Sequence, residues 1–279
     1  MTPRADRLIT LALAEDAVKH DVTSRAILPR AHRSRAFIDA KQDLVVCGLA
    51  LAAEVFRRVD RRLRVRALVR DGACVRRGTD VLRVEGPTAS LLAAERTALN
   101  FLQRLSGIAT QTRRYVEAVR GTGVQIVDTR KTTPGWRALE KYAVRTGGGH
   151  NHRMSLRDLV LIKDNHIAAA GSLAAAVKRC RRAAPRGMKI EVEVKTLEEV
   201  REAVAARADI ILLDNMPPAR IRAAVKLITG RATVEVSGGV HFATLRRFAL
   251  PGVDLISIGA LTHSVPAADL SLDLRERLR

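Results

Sequence analysis

Aromatic residues are scarce in this chain of 279 residues: one Trp, two Tyr and five Phe make up 3% of it. That scarcity argues against a single-strand nucleic-acid binder, which needs aromatic platforms on which bases stack. Cysteine is scarcer still. Cys47, Cys74 and Cys180 are far apart, odd in number and match no metal-ligand spacing, so a reduced, cytoplasmic setting is expected. No apolar run approaches the roughly 18 residues of a membrane span. The stretch Met1 to Leu13 carries Arg4, Asp6 and Arg7 and does not read as a signal peptide. Neither a phosphate loop of the G-x-x-x-x-G-K-[ST] type nor a G-x-G-x-x-G fingerprint occurs, which argues against a P-loop NTPase or a Rossmann dehydrogenase.

Positive charge is abundant. Lys and Arg number 49 against 29 Asp and Glu, a formal charge of +20, and arginine supplies 40 of the 49. The arginines are spread along the whole chain, densest from Arg57 to Arg77, with no basic tail. Acidic small molecules are therefore the expected partners, and a basic nucleic-acid-binding protein is the rival reading from another class. With 47% hydrophobic residues the chain can bury a core, and its length suits two unequal domains.

From about residue 120 onward, short β-branched runs alternate with helical stretches. The runs are Val124–Asp128, Leu159–Lys163, Lys189–Val194, Asp209–Leu213, Thr233–Val236 and Asp254–Ile258. Amphipathic segments at Leu173–Ala184, Leu197–Ala206 and Pro218–Thr229 supply the crossovers that parallel strands need. Periodicity alone does not choose between a barrel and an open doubly wound sheet. The strand ends favour a barrel with fewer than eight strands, because Arg130 and Lys131, Lys163, Glu193, Asp214, Ser237 with Gly238 and Gly239, and Gly259 all fall at C-terminal ends, where barrels carry chemistry. The first 105 residues read as a separate α+β layer, with strands near Ala36–Ile38, Leu63–Val69 and Val81–Val84. Helices are expected near Arg4–Ala14, Leu49–Val59 and Thr88–Leu105, with a boundary at Ser106-Gly107.

Cationic groups gather between Asp128 and His166: Arg130, Lys131, His152, Arg153 and Lys163. Cations packed together repel and lose hydration, so the cluster implies an anion with more than one negative charge. Glu191 and Glu193 alternate with valines and point to one face of a strand expected to be buried on both sides. With Asp214 on the next strand, Glu193 suits Mg²⁺, bound directly or through water; the alternative for Glu193 is an ion pair with Lys163 or Arg153. The turns Ser237-Gly238-Gly239 and Gly259-Ala260 place small residues after the last two strands, where backbone amides can cradle a phosphate.

Together, Asp128-Thr-Arg-Lys-Thr-Thr-Pro-Gly135, Lys141-Tyr-Ala-Val-Arg-Thr-Gly-Gly-Gly-His-Asn-His-Arg153, Leu161-Ile-Lys-Asp-Asn-His166, Glu191-Val-Glu-Val194, Leu213-Asp-Asn215, Ser237-Gly-Gly239 and Gly259-Ala-Leu-Thr-His-Ser264 resemble the quinolinate phosphoribosyltransferase family. Glu15-Asp16, Asp21-Val-Thr23, Ala94-Glu-Arg-Thr-Ala-Leu-Asn100 and Leu105-Ser-Gly-Ile-Ala-Thr110 extend the resemblance over nearly the whole chain. It implies an α/β fold: an N-terminal α/β sandwich domain (1–105, joined by 266–279) and an incomplete, open α/β barrel of six or seven parallel strands (106–265). It implies a pentosyltransferase that moves the phosphoribosyl group of 5-phosphoribosyl 1-pyrophosphate to quinolinate. Decarboxylation then gives nicotinate mononucleotide, CO2 and diphosphate for NAD biosynthesis. Arg96 would reach the partner's site in a homodimer, or in a hexamer of dimers. There it would join Arg130, His152, Arg153 and Lys163 around quinolinate. Lys131, Glu193, Asp214, Ser237, Gly238, Gly239, Gly259 and Ala260 would hold the phosphoribosyl donor and Mg²⁺. His20, Trp136 and Ser155 depart from the family pattern without removing a charged group. A related family linked to molybdenum transport shares several motifs but lacks the lysine matched by Lys163, and a transferase for another anionic heterocycle is the rival among enzymes.

Overall fold

The computed structural model describes residues 3–278; Met1, Thr2 and Arg279, at the two ends of the expected N-terminal domain, lie outside the described residues. Two compact units divide the chain. One comprises residues up to 113, 133–148 and 264 onward; the other comprises 114–132 and 149–263.

In the first unit, β1 (Arg33–Ala40), β3 (Arg64–Ala67) and β5 (Asp80–Pro87) form an antiparallel sheet with the C-terminal strand Leu270–Leu278, ordered C-terminal strand, β1, β5, β3. A two-stranded ribbon of β2 (Leu44–Val45) and β4 (Cys74–Val75) lies outside it. Along β1, buried Ser34, Ala36 and Ile38 alternate with half-buried Arg33, Arg35 and Phe37, the period-two pattern of a sheet with one packed face. Helix Leu49–Val59 starts at Gly48, whose φ of 106° only glycine adopts freely, and the Asp71 carboxylate accepts from the Gly48 and Leu49 amides at 3.0 and 3.1 Å.

The long helix spans Thr88–Ala118 and passes through Ser106 and Gly107, where the sequence suggests a boundary. Ser106 is fully buried, its hydroxyl accepting from the Cys47 amide, and the bare Cα of Gly107 lets the Pro266 carbonyl approach where a side chain would collide. Glycine here serves close packing rather than chain termination.

Burial pushes the Cys47 thiol up to about 12, helped by the nearby Asp71 charge, whereas Cys74 is exposed. Because the thiolate is the reactive form, Cys74 should alkylate at pH 8 in the folded protein while Cys47 stays unmodified. Mass mapping after a limited iodoacetamide pulse checks this; Cys47 labelling at the rate of Cys74 would contradict the packing described.

In the second unit, β6 (Gln125–Val127), β7 (Val160–Ile162), β8 (Ile190–Val194), β9 (Ile210–Asp214), β10 (Thr233–Ser237) and β11 (Leu255–Ser257) form one parallel sheet, ordered β6-β11-β10-β9-β8-β7. No ladder pairs the two edge strands, so the curved sheet is open and has six strands among the described residues. Each expected run falls on one of these strands. The crossover helices begin where side chains can accept from first-turn amides: Ser172 opens Leu173–Ala183, and Thr196 with Glu199 forms a reciprocal capping box for Leu197–Ala205. Pro218 opens Pro218–Ile228, at a position where its missing N–H costs nothing.

Candidate active site

Except for Arg96, which is exposed on the long helix of the first unit, every site residue expected from the sequence belongs to the second unit. Most of these lie at or near the C-terminal ends of its strands, and His152 and Arg153 lie in the loop before β7. Arg130 and Lys131 follow β6, Arg153 precedes β7, and Lys163 follows it directly. Glu193 lies within β8, Asp214 ends β9, and Ser237 ends β10 level with Asp214. Gly259 and Ala260 follow β11.

The loop before β7 is tied to β6 by a carboxylate. Asp128, fully buried, accepts from the His152 amide at 2.9 Å and from the Asn151 side chain at 2.5 Å, while the His150 amide donates to the Ile126 carbonyl at 2.8 Å. Two arginines are thereby brought close. Burial lowers the Arg153 pKa from its ordinary value, the Arg130 charge lowers it further, and Glu191 opposes both. A pair of guanidiniums held against their own repulsion is a site for an anion.

Lys163 forms an ion pair with Glu193; the lysine side chain is 43% exposed and the glutamate 12%. Of the two readings of Glu193, the structure thus contains the ion pair. Glu191, on the same strand face, has a different neighbour. His152 Nε2 lies 3.1 Å from its carboxylate and 3.4 Å from that of Glu235, and both glutamates are fully buried. Burial raises the Glu191 pKa, and the Glu235 charge raises it further. For His152, burial works against the cation and the two carboxylates work for it; the contact at the other ring nitrogen decides for the neutral ring. The Arg153 amide donates to Nδ1 at 2.8 Å, which requires a lone pair there and places the ring proton on Nε2.

At the phosphate turns, Gly238 and Gly239 have φ of 87° and 63°. The side-chain amide of Asn215 lies directly against Gly238, so left-handed backbone and close packing both demand glycine there. Asn215, itself left-handed at φ 53°, donates from its backbone to the Ser237 carbonyl at 2.9 Å and from its side chain to Asp214 at 3.0 Å, joining the ends of β9 and β10. A Cβ on Gly259 would stand 3.0 Å from Lys131 Cδ, so this glycine lets Lys131 cross the turn; Thr262 donates to the Lys131 carbonyl at 2.7 Å. Trp136, a departure from the family pattern, stacks on Phe101 in the first unit at a centroid separation of 4.9 Å.

Sequence reasoning gives no role to Asp128, Glu235 or Asn215. The alternation in Val234-Glu235-Val236, a carboxylate inside a buried strand like that of Glu191, is the signal that could have found Glu235.

Comparison with known proteins accords with this geometry. Family models for the N-terminal and C-terminal domains of quinolinate phosphoribosyl transferase match residues 21–106 and 108–273. The probable nicotinate-nucleotide pyrophosphorylase [carboxylating] of Bacillus subtilis is 44% identical, covering 96% of this chain and 92% of that one. A chloroplastic relative from Arabidopsis thaliana with the same activity in its name is 43% identical over 97% of this chain and 83% of its own. The crystal structure of NadC from Streptococcus pyogenes superposes with a TM-score of 0.95 at 42% identity, covering 100% of this chain and 99% of that one. Two matched domains, relatives above 40% identity and a cation-lined open barrel agree: the chain belongs to the quinolinate phosphoribosyltransferase family.

Proposed function

We propose that the protein transfers the phosphoribosyl group of 5-phosphoribosyl 1-pyrophosphate to quinolinate and releases the 2-carboxylate as CO2, yielding nicotinate mononucleotide and diphosphate. The observation that carries this reading is the cation set of Arg130 after β6, Arg153 in the loop before β7 and Lys163 after β7, in a chain matched by both domains of the family. Three cations suit a substrate with two carboxylates and leave repulsion uncompensated for one with a single carboxylate.

Diphosphate leaves ribose C1, which develops oxocarbenium character, and the quinolinate ring nitrogen forms the new bond. The quaternised ring then takes the electron pair of the C2–carboxylate bond as CO2 departs, and C2 is protonated. Arg130, Arg153 and Lys163 hold the carboxylates and orient the nitrogen toward C1. Lys131 and the turns at Ser237-Gly238-Gly239 and Gly259-Ala260 take the phosphates. Glu193 and Asp214 fit Mg²⁺: both offer oxygen, one stands next to the end of β8 and the other ends the neighbouring β9, and neither is fully buried, which suits an ion that keeps several waters. Bound there, Mg²⁺ would neutralise charge on the departing diphosphate.

In a homodimer, exposed Arg96 would complete the quinolinate pocket of the other protomer. Among the described residues no helix is long and apolar enough to cross a membrane. Three free cysteines suit a cytoplasmic setting. The test is CO2 release from quinolinate labelled at the 2-carboxylate. Release requiring protein, Mg²⁺ and the phosphoribosyl donor together, with one nicotinate mononucleotide per CO2, is expected. No release from folded protein would overturn the reading.

A further inference from the structure

Beneath the cations lies a group the reaction above does not use. Glu191 and Glu235 are 0% and 1% exposed, and none of their four carboxylate oxygens accepts a well-aligned hydrogen bond. Burying two carboxylates in that state is costly, so they need a partner that sits between them. The register supplies the spacing. Glu191 pairs with Ile210 and Glu235 with Leu212 across the shared strand β9, so the carboxylates stand two residues apart in height on strands flanking β9.

His152 Nε2 is 3.1 Å from one and 3.4 Å from the other. This donor set, one imidazole and two carboxylates, could hold a metal ion. The contact on the far side of the ring decides against it. With Nδ1 accepting the Arg153 amide at 2.8 Å, the ring's one proton sits on Nε2, and a metal could take that nitrogen only by displacing the proton and leaving an imidazolate, which a neighbouring amide at Nδ1 does not favour over the neutral ring. The ring therefore spans from the barrel floor to the Arg153 backbone. At its start, Asp128 holds the His152 amide; at its end, Arg153 Nη1 donates to the Leu159 carbonyl at 3.1 Å.

We propose that Glu191 and Glu235 are positioning residues: they fix the His152 ring from below, and the ring in turn fixes the Arg153 backbone, so that the guanidinium meets quinolinate in one geometry. His152 serves the site through its neighbour, since both of its ring nitrogens already face protein groups. The proposal rests on the quinolinate reading for its kinetic consequence, not for its structural one.

The double variant Glu191→Leu/Glu235→Leu removes both acceptors while replacing buried charge with apolar volume, a change that is often neutral or stabilising. KM for quinolinate should rise about tenfold, equivalent to roughly 1.4 kcal/mol, with KM for the phosphoribosyl donor within about twofold of wild type. Glu191→Gln/Glu235→Gln keeps an acceptor oxygen at each position and should recover most of the loss, which a role resting on charge alone would not permit. Adding His152→Ala to the leucine pair should cost nothing more, because all three residues act as one unit. Independently of turnover, the Nε2–H proton of His152 should exchange slowly with water in the wild type and the glutamine pair and rapidly in the leucine pair. This readout stands even if wild-type protein proves to use another acceptor.

An unchanged quinolinate KM in the folded leucine pair overturns the proposal, as do losses that multiply with His152→Ala or a stoichiometric metal ion that the glutamine pair fails to bind. If the leucine pair does not fold, single Glu191→Leu, at the shorter contact, carries the same comparison.

Discussion

Glu140→Ala should lower the midpoint of thermal unfolding by on the order of 10 °C. Glu140 is fully buried within the first unit, on helix Arg137–Thr146. One oxygen accepts from Arg104 and from the Thr133 hydroxyl, both at 2.8 Å, and the other accepts from the Thr133 amide at 3.0 Å. An isolated buried charge would ordinarily be unfavourable, but three donors on two oxygens satisfy this one. Removing it takes a carboxylate away from the Arg104 guanidinium, only 25% exposed, and strands a backbone amide. Breaking such a pair from one side costs about 3–5 kcal/mol, and in a chain of this size each kcal/mol shifts the midpoint by about 2–4 °C. Glu140→Gln keeps the shape and the acceptor for the Thr133 amide, so it should lose roughly half as much. Calorimetry on the two variants checks this. An alanine variant melting within 2 °C of wild type would mean that the network adds nothing.

The second unit was legible in the sequence because its four central strands are buried on both faces. A buried parallel strand must be a short run of β-branched and apolar residues, and no local signal competes with that. Polar residues at the C-terminal end of each run then located the site. Contacts made across long sequence distances were not legible. Ser106-Gly107 reads locally as a break, yet the helix continues because the Pro266 carbonyl packs on Gly107. The ribbon of β2 and β4 is two residues wide on each side, too short for any periodicity to register. Within the site, residue types were readable and pairings were not. Glu191 and Glu193 share a strand face and an alternating context, but one lies against His152 and the other against Lys163. That choice is made by what stands on β7, on β10 and in the loop tied down by Asp128. Glu140 shows the same gap from the other side: nothing in Arg137–Thr146 marks one glutamate as the partner of an arginine 36 positions away.

Lys163→Ala should leave the fold intact and lower kcat/KM for quinolinate by a factor of about 30 to 1,000, corresponding to roughly 2–4 kcal/mol of lost transition-state stabilisation. The two expectations rest on different environments of one side chain. As a structural element, Lys163 is 43% exposed, and an ion pair with one end in water contributes at most about 1 kcal/mol, so the melting temperature should barely move. As a substrate contact it acts in a pocket from which quinolinate excludes water, where a cation facing a carboxylate is worth several times more. Its pairing with Glu193 complicates the interpretation, because losing the lysine also frees that carboxylate, which could repel the substrate. A double-mutant cycle with Glu193→Gln separates the effects. If Lys163 acts on quinolinate directly, its removal costs nearly as much in the Glu193→Gln background as in the wild type. If it acts only by restraining Glu193, the glutamine variant abolishes the cost. The cation count predicts the first outcome: without Lys163, Arg130 and Arg153 are left to hold the two carboxylates, and they already repel each other. Steady-state kinetics with each substrate varied in turn decides between them, and kcat/KM for quinolinate within threefold of wild type would remove Lys163 from the site altogether.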